Sequence, residues 1–110
     1  MLTPAEVDEV VRRIVARMDP ERVIVYGSYA KGTATPRSDL DLLVVLETDL
    51  PMRKRARDAR AMFADALVPV DVHVYTPEEV EEYGREPLGF IRCVLSTGRE
   101  AYRRLRREVA

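Results

Sequence analysis

The sequence predicts an α/β (α+β) fold in which helices pack on a small mixed sheet of three or four strands. The chain has 110 residues, 46% of them hydrophobic, which suits one domain with its own core. Short β-branched runs alternate with segments of helical periodicity. Only a short connection joins the first two predicted strands, which argues against a regular array of parallel βαβ units. We therefore expect residues 1–110 to form a single domain.

The first predicted element is a helix over residues 3–18. Thr3 stands at the N-cap, Pro4 suits the first helical position, and Glu6 completes a capping box. One apolar stripe follows at spacings of three and four residues, formed by Val7, Val10, Val11, Ile14, Val15 and Met18. These features predict an amphipathic helix that packs on the sheet.

Two strands and a polar connection follow this helix. The β-branched run 23–26 predicts a buried strand, and residues 28–32 are long enough only for a helical turn. A loop at 33–38 leads into "DLDLLVVLE", residues 39–47, which has the period of two that is typical of a strand. One face of this strand carries Leu40, Leu42, Val44 and Leu46. The opposite face carries Asp39, Asp41, Leu43 and Val45.

The second half of the chain continues the alternation of helix and strand. Residues 52–67 are rich in alanine, arginine and methionine and predict a helix. Residues 68–76 predict a third strand, in which valines alternate with Asp71, His73 and Tyr75. Two further helices are predicted at 76–84 and 87–98. Residues 99–105 fit either a closing edge strand or a last helical turn.

Charge and hydropathy exclude several classes of function. The formal net charge is −1, so the chain lacks the basic excess of a nucleic-acid-binding domain, and we expect no direct nucleic-acid binding. No apolar run approaches the roughly 18 residues of a membrane span. The N-terminal segment lacks the pattern of a signal peptide, so the expected location is the cytoplasm. The single cysteine, Cys93, excludes a disulfide within the chain.

Three aspartates on predicted strands indicate a metal site. Asp39 and Asp41 are two residues apart in a strand, so their side chains share a face, and Asp71 lies in another alternating strand. If these strands are neighbours, the carboxylates converge, and two of them about 5 Å apart repel by roughly 3 kcal/mol at an effective dielectric of about 20. Mg²⁺ resolves that repulsion with hard oxygen ligands. Any one of these aspartates, taken alone, would fit a turn or a solvent-facing position.

The Gly-Ser turn before the second strand suits phosphate binding. Gly27 allows a close approach of the backbone to a ligand, and Ser28 adds a hydroxyl donor. Lys31, one turn further on, can reach the same phosphates as a point charge. The segment 27–33 also resembles a Walker A loop, but Thr33 stands where the required lysine would be, and no full helix follows. A P-loop enzyme is therefore disfavoured.

This combination of residues resembles the polymerase-beta-like nucleotidyltransferase superfamily and, within it, the minimal nucleotidyltransferases (MNT group). The family pattern is a Gly-Ser turn after a strand, a basic residue and a glycine, Asp-x-Asp at the head of the next strand, and a third aspartate on a later strand. The matching residues here are Gly27, Ser28, Lys31, Gly32, Asp39, Asp41 and Asp71. The most specific part is "SDLDLLVV", residues 38–45.

The resemblance implies a nucleotidyltransferase fold and the Mg²⁺-dependent transfer of a nucleotide, usually AMP from ATP. It implies that Asp39 and Asp41 hold two metal ions, and that Asp71 completes the second site and helps to activate the acceptor hydroxyl. The Gly27-Ser28 turn would hold the triphosphate, with Lys31 as a helper. Many members carry arginine where Lys31 stands, so the forked guanidinium is absent here.

The resemblance also implies a protein partner. MNT proteins are commonly paired with a small helical protein of the HEPN type, and in such toxin–antitoxin pairs the nucleotidyltransferase is the antitoxin and adds AMP to a tyrosine of its partner. We therefore expect an oligomer or hetero-oligomer, with the basic segment 53–60 either at its interface or solvated. Two alternatives remain open: a non-catalytic subunit that neutralises its partner by binding, and transfer to a small molecule or RNA. His73 and Tyr29 are further candidate ligand contacts, although such residues are more often structural.

Overall fold

The structure is a computed structural model that describes residues 1–105. Its architecture is a four-stranded sheet with helices on both faces. In chain order the elements are α1 (Pro4–Met18), β1 (Arg22–Tyr26), α2 (Ser28–Lys31), β2 (Leu40–Val45), α3 (Met52–Arg55), α4 (Arg57–Met62), β3 (Val70–Tyr75), α5 (Pro77–Tyr83), α6 (Phe90–Thr97) and β4 (Arg99–Arg103). The strand order is β3-β2-β1-β4. β1 is antiparallel to β2 and β4, whereas β2 and β3 are parallel. The predicted mixed sheet with packed helices is confirmed.

Helix α1 begins as its sequence predicts. The Thr3 hydroxyl accepts a hydrogen bond from the Glu6 amide at 3.2 Å, and the Glu6 carboxylate accepts one from the Thr3 amide at 2.9 Å. Its buried residues are Val7, Val11 and Ile14. The capping box fixes the start of the helix, and the apolar stripe fixes which side of it faces the sheet.

Side chains alternate between the two faces of the sheet and form two cores. On the face that we call the α1 face, the sheet contributes Val23, Val25, Leu42, Val44, Val72 and Val74, which pack with residues of α1 and α4. On the opposite face, the α6 face, the core contains Ile24, Leu43, Val45, Val80, Ile91 and Val94. Asp41 precedes Leu43 by two residues, so its side chain projects from the α6 face.

The structure corrects two predicted elements and decides a third that the sequence left open. The predicted helix 52–67 is two short helices, α3 and α4, and α4 ends at Met62. Ala56, Ala59 and Phe63 are buried, whereas residues 64–67 are all exposed, so no burial stabilises further helix there. The second strand begins at Leu40, which leaves Asp39 just outside the ladder. Residues 99–105, which fitted strand or helix, contain strand β4.

None of the helices within residues 1–105 combines the length and the apolar character that crossing a bilayer requires.

Candidate active site

A row of polar side chains crosses three strands at one end of the sheet. The parallel register places Asp41 of β2 directly beside Asp71 of β3. The antiparallel register places Tyr26 of β1 beside Asp41 on its other side. Paired positions on neighbouring strands share a face and lie about 5 Å apart. Asp71, Asp41 and Tyr26 therefore lie side by side on the α6 face.

Asp39 adds a third negative charge to this row. It lies immediately before β2 and is exposed, whereas Asp41 is half-buried. Burial raises the pKa of the Asp41 carboxyl, and the negative charges of Asp71 and Asp39 raise it further. Asp39 therefore acts electrostatically on Asp41 although it is not paired in the ladder. The three carboxylates form one electrostatic group.

The protein supplies little positive charge to this group. Among the described residues, no arginine or lysine forms an ion pair with Asp39, Asp41 or Asp71. Within the described part of the chain, the one hydrogen-bond or ion-pair partner of the Asp71 side chain is His73, whose Nε2 atom lies 3.3 Å from Oδ2 of Asp71. Within residues 1–105, no three acidic, histidine or cysteine side chains are close enough to form a ligand set by themselves. Mutual repulsion between the carboxylates opposes closer approach in the protein alone.

The Gly27 turn lies against the Asp41 carboxylate. Gly27 has φ 71° and ψ −151°, a conformation that glycine adopts and other residues avoid. A Cβ atom at this position would lie 2.5 Å from the Oδ2 atom of Asp41. Both the backbone conformation and the space beside Asp41 therefore require glycine here. The turn and the carboxylates form one site.

Ser28 and Lys31 begin and end the short helix α2. The amides of Ala30 and Lys31 both donate to the Gly27 carbonyl, at 3.1 Å each, which closes the turn. Ser28 follows Gly27 directly and so stands next to the carboxylate row. The Lys31 ammonium is exposed and makes no ion pair within residues 1–105. Its charge is therefore not neutralised by an ion pair among the described residues.

Two aromatic residues that border the site cannot be predicted from the sequence. Tyr26 stands at the end of a predicted strand, and its place beside Asp41 depends on the antiparallel register. Burial raises the pKa of the Tyr26 hydroxyl, and the charges of Asp41 and Asp71 raise it further, so the phenol stays protonated at neutral pH. The Phe90 ring centroid lies 5.5 Å from that of Tyr26 and 5.7 Å from that of His73. No local sequence signal brings Phe90 there, since the docking of α6 decides its position.

Tyr29 and His73 have different surroundings. Tyr29 packs on the core of the α1 face, and its hydroxyl accepts a hydrogen bond from the Leu2 amide at 3.0 Å. That contact is structural. His73 lies on the α6 face between Asp71 and Phe90, so it borders the carboxylate row.

Comparisons with known proteins agree with this geometry. A family model described as a nucleotidyltransferase domain matches residues 7–99, which include the Gly-Ser turn and all three aspartates. No curated protein matches the sequence significantly.

Two solved structures share the fold. One is a crystal structure of a toxin–antitoxin with AMP-PNP, with a TM-score of 0.53 and 16% identity over 88% of this chain and 73% of that chain. The other, from Sulfolobus solfataricus, is provisionally described as a nucleotidyltransferase, with a TM-score of 0.53 and 22% identity over 76% of this chain and 81% of that chain. At such identities the likeness concerns the fold, and it confirms the nucleotidyltransferase fold. Because the family model spans most of the sequence, the chain belongs to the nucleotidyltransferase domain family.

Proposed function

We propose that this chain is a Mg²⁺-dependent nucleotidyltransferase that transfers AMP from ATP to a partner protein in the cytoplasm. The observation that carries the proposal is the pairing of Asp41 with Asp71 on neighbouring strands, with the Gly27 turn against Asp41. Carboxylates in such a place, without a lysine or arginine partner among residues 1–105, suit a reaction that brings its own cations. Membership of the nucleotidyltransferase domain family supports the same chemistry.

The donor set fits Mg²⁺. The side chains that face the site offer carboxylate oxygens, which are the ligands that Mg²⁺ prefers. In the proposal, Asp39 and Asp41 hold two ions and Asp71 completes the second site. When bound, the ions neutralise the charge that develops on the triphosphate and position it for in-line attack.

The residues of the chain divide the remaining tasks. Gly27 and Ser28 let the triphosphate approach the backbone, and Lys31 adds a positive charge near it. The acceptor hydroxyl oxygen forms a bond to the α-phosphorus while the bond to the bridging oxygen breaks, and pyrophosphate leaves with that electron pair. Asp71 accepts the hydroxyl proton. His73 contacts the Oδ2 atom of Asp71, and in the proposal the other oxygen of Asp71 accepts the proton.

A protein acceptor and ATP are supported by the resemblance to the MNT group. The toxin–antitoxin structure of similar fold was crystallised with AMP-PNP, an analogue of ATP. We therefore propose that the partner is a helical protein of the HEPN type, that the two chains form a hetero-oligomer, and that this chain is the antitoxin of the pair.

Intact-mass spectrometry tests the proposal. The protein encoded beside this one is incubated with the chain, ATP and Mg²⁺, and the control chain carries Asp39→Ala and Asp41→Ala. The expected result is a mass increase of one or more AMP units on the partner, absent with the control. Binding of the partner without any mass increase would contradict the enzyme and favour a subunit that neutralises by binding.

A further inference from the structure

Five rings form a connected cluster on the α6 face, which we call the aromatic shelf: Tyr26, His73, Phe90, Tyr75 and Tyr83. Phe90 contacts three of the others, with centroid distances of 5.5 Å to Tyr26, 5.7 Å to His73 and 6.3 Å to Tyr75. Tyr75 in turn meets Tyr83 edge-on at 6.1 Å. The aromatic shelf starts at the carboxylate row, because His73 contacts Asp71 and Tyr26 pairs with Asp41. It ends at α5.

A cavity of about 250 Å³ opens at that far end of the aromatic shelf. Its walls include Met52, Tyr75, Tyr83, Glu86 and Phe90. This volume is below the several hundred cubic ångströms of a typical small-molecule site and suits one large side chain.

Large apolar side chains are exposed at the cavity and close to it in sequence. Phe90 is 44% exposed, Met52 is 45% exposed, and Leu88, two residues before Phe90, is fully exposed. Grouped exposed side chains of this kind mark protein-binding surfaces, in which aromatic residues and methionine are enriched. The surface therefore fits a protein partner.

The charge around the cavity decides which occupant suits it. Glu81 is paired with Arg85 and Glu79 with Arg55, whereas Glu86 in the cavity wall has no ion pair within residues 1–105. Glu86 is the one charged residue in the wall among the described residues, which contribute no lysine or arginine to it. Its negative charge disfavours a triphosphate in the cavity and favours a lysine or arginine on the occupant.

We propose that this cavity docks an apolar side chain of the acceptor protein, carried on a segment with a lysine or arginine beside it. The inference rests on the proposed function, since it identifies where the acceptor of that reaction binds. His73 contacts Asp71, and Phe90, which packs against His73, forms part of the cavity wall. At about 3.4 Å per extended residue, the anchor lies roughly three or four residues from the hydroxyl that Asp71 activates.

Steady-state kinetics with the acceptor protein test the docking site, and each variant has a matched control. Phe90→Ala removes one wall, and Leu95→Ala, on the same helix and 39% exposed, is its control. Glu86→Lys reverses the charge of the cavity, and Glu9→Lys makes the same charge change on α1. We expect Phe90→Ala and Glu86→Lys each to raise the KM for the acceptor about tenfold, with the KM for ATP within about twofold of wild type. Thermal melting of each variant is measured to check that it is folded.

Two results would overturn the docking site: an unchanged KM for the acceptor in both cavity variants, or a raised KM for ATP instead, which would make the cavity a nucleotide site. The affinity of the acceptor protein for the same four variants, measured without ATP, separates this inference from the proposed function. If wild type transfers no AMP, the proposed function fails. A tenfold weaker affinity confined to the two cavity variants would still support the docking site, and equal affinities would reject it.

Discussion

Carboxylates lie at both ends of β3, and the protein surrounds them differently. After the strand, Glu79 accepts hydrogen bonds from the Arg55 guanidinium at 2.5 Å and from the Thr76 amide at 2.8 Å. Arg55 also donates to the Leu50 carbonyl at 2.8 Å. At the start of the strand, the only ion-pair partner of Asp71 among residues 1–105 is the imidazole of His73, at 3.3 Å.

The pKa values of the two regions shift in opposite directions. Burial alone would raise the pKa of Glu79, but hydrogen bonds from Arg55 and Thr76 lower it overall. Burial raises the pKa of Asp41, and its acidic neighbours add to the rise. Glu79, a structural carboxylate, forms an ion pair with an arginine of the protein. The carboxylates of the candidate site have no such partner within residues 1–105, which leaves them free to bind a cationic ligand.

The substitution Asp41→Asn is expected to have the largest effect, and that effect is on activity. Removing one carboxylate of the candidate site is expected to lower the rate of AMP transfer by roughly 10³-fold. The folded state is expected to keep or gain stability without Mg²⁺, because one repulsive charge is removed. Transfer assays and thermal melts measure the two effects. A variant that unfolds would show that Asp41 is a structural residue.

Gly27→Ala tests whether the turn positions the Asp41 carboxylate for the reaction. The added Cβ displaces the Asp41 carboxylate, and we expect transfer to fall by about 10- to 100-fold. Gly32→Ala is the control, since Gly32 also has a positive φ of 73° but a Cβ there meets nothing within 4 Å. Both variants lose stability through backbone strain, by about 1–3 kcal/mol. Equal losses of activity in folded protein would contradict the role given to Gly27.

The substitution Arg55→Met is expected to lower stability and not activity. The Arg55 and Glu79 side chains are 10% and 23% exposed, so removing the guanidinium leaves a largely buried carboxylate unpaired. We expect the free energy of unfolding to fall by about 2 kcal/mol in urea titration, with transfer per folded molecule unchanged. Adding Glu79→Gln should recover part of the loss. A loss of transfer without a loss of stability would assign the pair to the reaction.

The pH dependence of stability gives the smallest expected effect. The folded pKa of Glu79 lies below its ordinary 4.5, so its contribution is present above that value and is lost as the pH falls through the folded pKa. The folded pKa of Asp41 lies above its ordinary 3.8, so its charge destabilises the fold at neutral pH, and this effect disappears in acid. Urea titrations should therefore show Glu79→Gln less stable and Asp41→Asn more stable than wild type at pH 7. The Glu79→Gln difference should shrink as the pH falls below 4.5, and the Asp41→Asn difference should disappear as the pH falls below 3.8. Differences that do not change with pH would contradict these assignments.

The sequence predicted those parts of the site that depend on local periodicity. The alternation along β2 and β3 put Asp41 and Asp71 on definite faces, and Thr3 and Glu6 fixed the start of α1. The place of Tyr26 beside Asp41 could not be predicted, because it depends on the register of an antiparallel pair.

Two other features depend on tertiary packing. Phe90 reaches the site through the docking of α6, and Arg55 meets Glu79 across 24 residues of sequence. The predicted helix 52–67 ends early, at Met62, because Phe63 is buried but residues 64–67 are all exposed. Such contacts between distant segments leave no periodic pattern in the sequence.

A thermal-shift measurement with Mg²⁺ and AMP-PNP tests whether the carboxylates of the candidate site bind a cation together with a nucleotide. Mg²⁺ and AMP-PNP together are expected to raise the Tm of the wild-type chain, since a ligand that binds only the folded state stabilises it. We expect no rise for Asp41→Asn, and an undiminished rise for Arg55→Met from its lower starting Tm. An equal rise in wild type and Asp41→Asn, or none in wild type, would contradict the claim that these carboxylates await a cation.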